Sequence, residues 1–370
     1  DLRKQIEQAR PIQPNRSGLG DPIDMNLATH AIFDGPGQPL RMGTSELPTP
    51  GPGHVLVRIR LATICGSDLH TVEGRREAPC PCILGHEAVG DVEAVGPGRD
   101  PAWLGKRVTW TLADSCGACR PCTEWGLPQK CERLFKYGHA SMNGGGALSG
   151  CYSTHILLRP GTTLCEVPEG VPDAMAAPAN CALATAIAVV ESVPGPGRHA
   201  VVQGGGMVGC LVVALLREAG WERVTVVEPL PARHEFAARC GGIAVLPTQA
   251  LDLTAGTADA VVETAGVSSV IGEGIRLLRP GGHYAWAGMV HPASRVDMTG
   301  EQVIRKCLTI RGTHNYGPRH LHAAMGFLQR HGRRLGLDAV VSTPFGLHDL
   351  GAAIEVARSG AHARVAIVPG

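Results

Sequence analysis

Aromatic residues make up only 4% of the 370-residue chain, neither sign of charge dominates, and no apolar run approaches the ~20 residues that a membrane span needs. Each shortage excludes something. With 34 basic and 33 acidic residues the formal net charge is +1, so composition supplies no field to draw in nucleic acid or an acidic membrane surface. The opening residues, Asp1 to Arg10, are charged and hold no apolar stretch of signal-peptide length. A cytoplasmic protein with a small-molecule partner, and with no nucleic-acid or membrane partner, is the resulting expectation. The 49 glycines and 28 prolines suit an α/β protein with many tight turns better than a helical bundle. Thirteen cysteines suggest a secreted disulfide scaffold, but such scaffolds are short, and an odd number leaves one thiol unpaired in any case; metal ligands and free thiols fit better.

A chain of this length exceeds what one core usually organises, so two domains are expected. Residues 1–26 are polar and read as a flexible tail, with Met25 a plausible natural start. Alternating apolar residues from Val55 to Ile64 predict a strand, followed by a loop holding Cys65 to His70. Short strands and Gly-rich turns continue to about Val167. Beyond Pro178 the pattern changes to alternating strands and helices: Ala200 to Gln203 as strand, Met207 to Ala219 as helix ended by Gly220, Val224 to Val227 as strand, then strands from Ala258 to Thr264 and from His283 to Ala287. Two further helical patterns follow Gly317, and Arg364 to Val368 forms an apolar strand able to rejoin the first domain. The expected division is therefore 27–180 with 318–370 as one domain and 181–317 as the other.

Between the first strand and first helix of the second domain stands Gly204-Gly205-Gly206-Met207-Val208-Gly209, a Gly-x-Gly-x-x-Gly pattern. Gly204 permits a tight turn, Gly206 lets a pyrophosphate approach the backbone, Gly209 lets helix and sheet pack closely, and the amides at the start of the helix, at Met207 and Val208, face the phosphates. Glu228, 19 residues beyond Gly209 at the end of the next strand, can accept both ribose hydroxyls. Its charge would repel a 2′-phosphate, so NAD is expected over NADP. Arg233 is a ribose or phosphate contact in this reading, and it is also the residue from which NADP could be argued.

Cys116, Cys119, Cys122 and Cys131 form a C-x2-C-x2-C-x8-C cluster, able to fill all four positions of a tetrahedral zinc and so to make a structural site, in a lobe spanning 114–133. An iron–sulfur cluster is the minor alternative. Cys65, His86 and Cys181 are more scattered. Two thiolates and an imidazole would give zinc a shell with its fourth position open, although any one of them alone reads more simply as a buried thiol or a satisfied histidine. The other seven cysteines, Cys80, Cys82, Cys151, Cys165, Cys210, Cys240 and Cys307, are expected to be buried thiols, with a redox role for Cys80 and Cys82 the alternative.

Gly85-His86-Glu87, Cys65 followed by Ser67, Asp68 and His70, the four-cysteine lobe and the glycine loop occur in the order found in the zinc-dependent medium-chain alcohol dehydrogenases, which the chain resembles over about residues 27–370. The 21-residue interval from Cys65 to His86 is part of that likeness. The resemblance implies a GroES-like β-rich catalytic domain plus a Rossmann domain with a doubly wound parallel sheet, NAD, two zinc ions per chain (one catalytic, one structural), and a homodimer or homotetramer. It further implies that Cys65, His86 and Cys181 hold the catalytic zinc, that Asp68 orients His86, that Glu87 sits behind the metal, that Ser67 and His70 relay the alcohol proton, that Thr185 packs near the nicotinamide, and that Arg364 contacts the pyrophosphate. In some relatives a glutamate is the third ligand, which leaves Glu87 and Glu166 as alternatives to Cys181.

A narrower resemblance, carried by Trp125 to His139 and by Pro178 to Cys181, is to a subgroup associated with phosphonate metabolism. In the family, the positions of Arg76 and Lys136 tend to line the substrate cleft. Two cations there imply an anionic substrate such as a hydroxyalkylphosphonate, unless both side chains turn outward into solvent. Alternatives within the superfamily are a polyol, aminocyclitol or amino-acid dehydrogenase. Outside enzymes, the alternative is a zinc-stabilised nucleotide-sensing protein.

Overall fold

The computed structural model describes residues 26–144, 147–292 and 294–370. The expected tail and the Met25 start therefore lie outside the described residues, Asn26 excepted.

The strand Val55–Ile64 is the hub of the first sheet. Its sequence VLVRIRLATI exposes Arg58 and Arg60 and buries every other residue, so it packs on both faces over most of its length. Antiparallel neighbours are Glu87–Val95 and His155–Leu158, together with Val365–Val368, the chain's last strand. That last strand returns to the first sheet as its apolar character predicted. The sheet runs Phe345–Gly346, Val365–Val368, Val55–Ile64, Glu87–Val95, Arg107–Trp110, Leu164–Glu166. Its register pairs Ile64 with Val365 and Thr63 with Glu87. Three distant parts of the sequence, around Cys65, His86 and Arg364, are thereby brought to one end of the sheet.

The second sheet has six strands, all parallel, in the order Ile243–Val245, Arg223–Val227, His199–Gln203, Ala258–Glu263, Leu278–Trp286, Thr309–Gly312. Its central strands read as continuous apolar runs because both faces are covered. Ala200 and Val202 pack into one core with the helix Met207–Glu218, while Val201 packs into another with Ile271 and Ile275. The order reverses between His199–Gln203 and Ala258–Glu263, and at such a switch point the loops leaving the two strands diverge and open a crevice. The helix ends where expected, with Gly220 at φ +90°. The strands Ile243–Val245 and Thr309–Gly312 escaped sequence reading because they are short, the first having only Val245 buried and the second being mostly exposed. Leu278–Trp286 starts five residues before the expected His283 and runs through Pro280-Gly281-Gly282.

The helices Ala182–Glu191, Met207–Glu218 and Pro318–Phe327 share one core with Leu61 and Val89 of the first sheet and with Leu112 and Val167 just beyond two of its strands, so the crevice has a packed floor. Among the described residues no single helix is long and apolar enough to cross a membrane.

A Cβ at Gly209 would lie 1.9 Å from the carbonyl oxygen of Gly204, which only a shift of the backbone can relieve. Gly209→Ala is expected to cost about 1–3 kcal/mol, read as a lower thermal midpoint, and to weaken NAD binding measured by fluorescence titration. A variant with unchanged midpoint and affinity would show that the close approach is unimportant.

Candidate active site

Cys65 caps the short helix Gly66–Val72, and its backbone amide donates to Asp68 Oδ2 at 2.9 Å, closing the first turn. Tyr152 donates its hydroxyl to the same oxygen, also at 2.9 Å. Held on that side, Asp68 presents Oδ1 to His86 Nδ1 at 3.4 Å, with neither atom otherwise partnered. The other ring nitrogen, Nε2, lies 3.4 Å from Ser67 Oγ. Cys65, His86, Glu87 and Cys181 each offer a ligand atom, all within 4.8 Å of one another. The Cys65 thiol is driven well below its ordinary pKa by its hydrogen bond with Cys181, and then by the Arg364 charge against the opposing effect of burial. Two sulfurs and an imidazole nitrogen converging on one point, one thiol already biased toward thiolate, suit a zinc ion.

Glu87 is fully buried and already occupied. Arg364 donates to it through Nε at 2.7 Å and Nη2 at 2.9 Å, and the Thr63 hydroxyl donates at 2.6 Å. Glu166, the other carboxylate considered as third ligand, stands at the surface paired with Lys106 at 3.0 Å. Cys181 is the better partner for Cys65 and His86 on position, since it begins the helix Ala182–Glu191 directly beside them. Asn180 secures that junction by donating to the carbonyls of His86 and Trp110, both at 3.0 Å. Tyr316 adds a hydrogen bond from its hydroxyl to the Asn180 carbonyl.

The cluster opens into a cavity of about 300 Å³. One wall carries Ser67, His70 and Thr185; the opposite wall is the loop Gly206 to Gly209 with Thr264 to Gly266, the two loops of the sheet's switch point. A second cavity of about 310 Å³ shares Gly206, Met207 and Arg364 with the first and runs on past Arg233, so the pair makes one elongated crevice suited to a dinucleotide. Gly204 takes φ +100° at the turn into the loop. Glu228 is buried at the end of its strand, accepting from the amides of Gly205 at 2.7 Å and Leu230 at 2.9 Å, with Arg233 at 3.7 Å. Arg364 lines both cavities, as a pyrophosphate contact would, yet its guanidinium is committed to Glu87 and to Cys65 Sγ at 3.7 Å.

Arg76 and Lys136 both line the first cavity; neither side chain turns wholly into solvent, and neither forms an ion pair among the described residues. Burial first, then the Arg76 charge, lowers Lys136 to about 8. Burial, then Arg75 and His291, keeps His70 below its ordinary value.

In the lobe, the four cysteines offer sulfurs within 4.8 Å of one another, with Cys119 Sγ 3.4 Å from Cys122 Sγ and 3.8 Å from Cys131 Sγ. A zinc tetrahedron with sulfur at ~2.3 Å has edges of about 3.8 Å. Backbone amides of Ala118, Cys116 and Arg133 donate to these sulfurs. The Ala118 amide first, then Arg133, brings the Cys116 thiol down to about 6. All thirteen cysteines are free, and five of the seven outside the two clusters are buried as expected; Cys80 and Cys307 are exposed instead, because Cys80 sits in an open loop and Cys307 in the turn between a helix and an edge strand.

Sequence reading missed Thr63, Tyr152, Asn180 and Tyr316. Only Asn180, next to Cys181, had a local signal.

Residues 51–169 match the alcohol dehydrogenase GroES-like domain and residues 207–330 the zinc-binding dehydrogenase domain. Geraniol dehydrogenase of Castellaniella defragrans is 31% identical over 319 residues, covering 79% of this chain and 84% of that protein. L-threonine 3-dehydrogenase of Deinococcus radiodurans is 28% identical over 347 residues, covering 89% and 94%. Among solved structures, an alcohol dehydrogenase from Thermotoga maritima superposes with a TM-score of 0.85 at 29% identity, covering 93% of this chain and all of that one. With GroES-like and nucleotide-binding halves in the same order and a site that fits the metal, the chain belongs to the zinc-dependent medium-chain alcohol dehydrogenase family, whose members are NAD(P)-linked oxidoreductases.

Proposed function

We propose that this enzyme interconverts an alcohol carrying an anionic group, such as a hydroxyalkylphosphonate, with the corresponding aldehyde or ketone, using NAD. The carrying observation is the pair Arg76 and Lys136 in the walls of the cavity that also holds Cys65, His86 and Cys181. An uncompensated pair of half-buried cations is unfavourable when the cavity is empty and favourable when an anion sits between them. Relatives named L-threonine 3-dehydrogenase keep the amino-acid alternative in view, since a carboxylate would meet the same two cations.

When bound, zinc supplies Lewis acidity to the substrate oxygen and the nicotinamide accepts the hydride. Cys65, His86 and Cys181 would hold the metal, Asp68 would fix the His86 ring, and Glu87 with Arg364 would close the space behind it. Ser67, next to His86 and open to the cavity, takes the proton released by the substrate hydroxyl. His70, held below its ordinary pKa, is neutral near pH 7 and able to pass that proton outward. Thr185 would pack against the nicotinamide. Gly204, Gly206 and Gly209, with the Met207 and Val208 amides, would hold the pyrophosphate, and the Glu228 carboxylate would favour NAD, with Arg233 a ribose or phosphate contact.

The same reading divides the chain into a catalytic domain of 27–180 with 318–370, carrying the structural zinc lobe 114–133, and a nucleotide domain of 181–317. A homodimer or homotetramer is part of it: Thr309–Gly312 leaves an open sheet edge, with Ile304 75% exposed nearby. A cytoplasmic setting agrees with thirteen free thiols.

Cys65→Ser and His86→Ala are expected to abolish turnover and remove about one zinc per chain while NAD still binds by fluorescence titration; near-full activity in either would refute the catalytic assignment. For the anionic pocket, Arg76→Leu and Lys136→Leu should each lower kcat/KM for a hydroxyalkylphosphonate by roughly tenfold or more, with little change for a neutral alcohol. A lysine is cationic below its pKa, so kcat/KM for the phosphonate should also decline as pH rises through about 8, and Lys136→Arg should move that decline to higher pH. Equal rates on neutral alcohols and phosphonates would discard the pocket.

A further inference from the structure

Beside the reaction cavity lies a larger one, of about 820 Å³, between the four-cysteine lobe and the outer strands of the nucleotide sheet. The two share Ala287, Val290 and His314 in their walls, so they meet at His314. Lys130 Nζ lies 2.7 Å from His314 Nδ1. Burial, followed by the charges of Lys130, Lys136 and Arg76, holds His314 down to about 4; a neutral ring therefore accepts from the ammonium, and Lys130 is tethered with its charge at the throat. Arg76 and Lys136 stand on the inner side. On the outer side the Arg311 side chain has no hydrogen bond or ion pair among the described residues, and the Trp286 Nε1 donor is buried without a partner; the acceptors without a partner there are the neutral atoms Gln129 Oε1 and His291 Nδ1, the other His291 ring nitrogen facing the Gly266 carbonyl at 3.3 Å. The carboxylate in these walls, Glu191, is taken by Arg319 at 2.8 Å and His320 at 3.1 Å. Positive charge without an unpaired carboxylate, running from the outer cavity to the inner one, describes a path for an anion.

We propose that the outer cavity is the entrance for the substrate's anionic end, and that Lys130 at the throat is a specificity-determining residue that selects phosphonate- or carboxylate-bearing alcohols over neutral ones. Lys130 directly precedes Cys131, the lobe's last cysteine, and Trp125 to Leu127 of the same wall follow Cys122. A metal held by the four thiols fixes both ends of this segment, so the lobe shapes the substrate's entrance as well as staples the chain. This inference rests on the anionic-substrate reading above.

The test compares zinc- and NAD-loaded wild type with Lys130→Met, Lys130→Arg and Lys136→Leu, using a hydroxyalkylphosphonate and a neutral alcohol of equal length, with methylphosphonate as inhibitor. The ratio of kcat/KM for the phosphonate to that for the neutral alcohol should fall about tenfold in Lys130→Met and recover to within about threefold of wild type in Lys130→Arg. Methylphosphonate should inhibit competitively with the phosphonate substrate and lose affinity in Lys130→Met, with a shallower salt dependence. If the ratio is unchanged in Lys130→Met but falls in Lys136→Leu, the entrance role is wrong and the anionic pocket stands. If both variants keep the ratio, the anionic reading itself fails. Non-competitive inhibition by methylphosphonate would mark a separate anion site and overturn the entrance role.

Discussion

The buried pair between Arg364 and Glu87 is the constraint around which the rest of the centre is arranged. Arg364 precedes the last strand of the chain and Glu87 begins a strand near its start, and the register of the hub strand sets them face to face. Removing one member of such a pair strands an uncompensated charge, at a cost of roughly 3–5 kcal/mol. The pair also places a guanidinium against Cys65 Sγ, so one side chain joins the closing of the fold, the bias of the Cys65 thiol and the wall of the crevice.

From that point the site divides its tasks between two sheets. The antiparallel sheet supplies rigid positions for the ligand set, with Asp68 locked by Tyr152 and by the Cys65 amide. The parallel sheet supplies the crevice, through the loops that diverge at its switch point. The helix that begins after Cys181 lies in the core common to both, which is why a thiol from so far along the chain can be held against Cys65 and His86. Positive charge is the other theme. Arg76 and Lys136 line one cavity and Lys130 the adjoining one, and the carboxylate in these walls, Glu191, is already paired.

Much of this was legible in the sequence wherever function needs a fixed local spacing. The glycine loop, the four cysteines and the run from Cys65 to His70 each sit within a short continuous stretch of chain, so their chemistry shows as a motif. Glu228 and the last strand were likewise readable from position and periodicity. What was not legible arises from contacts across the fold. Tyr152 reaches Asp68 from 84 residues away and Tyr316 reaches Asn180 from 136 away, and a lone tyrosine in a loop carries no pattern. The commitment of Arg364 to Glu87 could not be read either, because it follows from strand register rather than from neighbouring residues. The strand Thr309–Gly312 was hidden for a different reason: an exposed edge has no buried face to impose alternation.

Zinc anomalous diffraction from crystals of the active, zinc-replete protein would test the central claim most directly. Two peaks per chain are predicted, one among the four lobe sulfurs and one about 2.3 Å from the Cys65 and Cys181 sulfurs and about 2.0–2.1 Å from a His86 nitrogen, facing the crevice. Fully active protein with no peak between Cys65, His86 and Cys181 would contradict it.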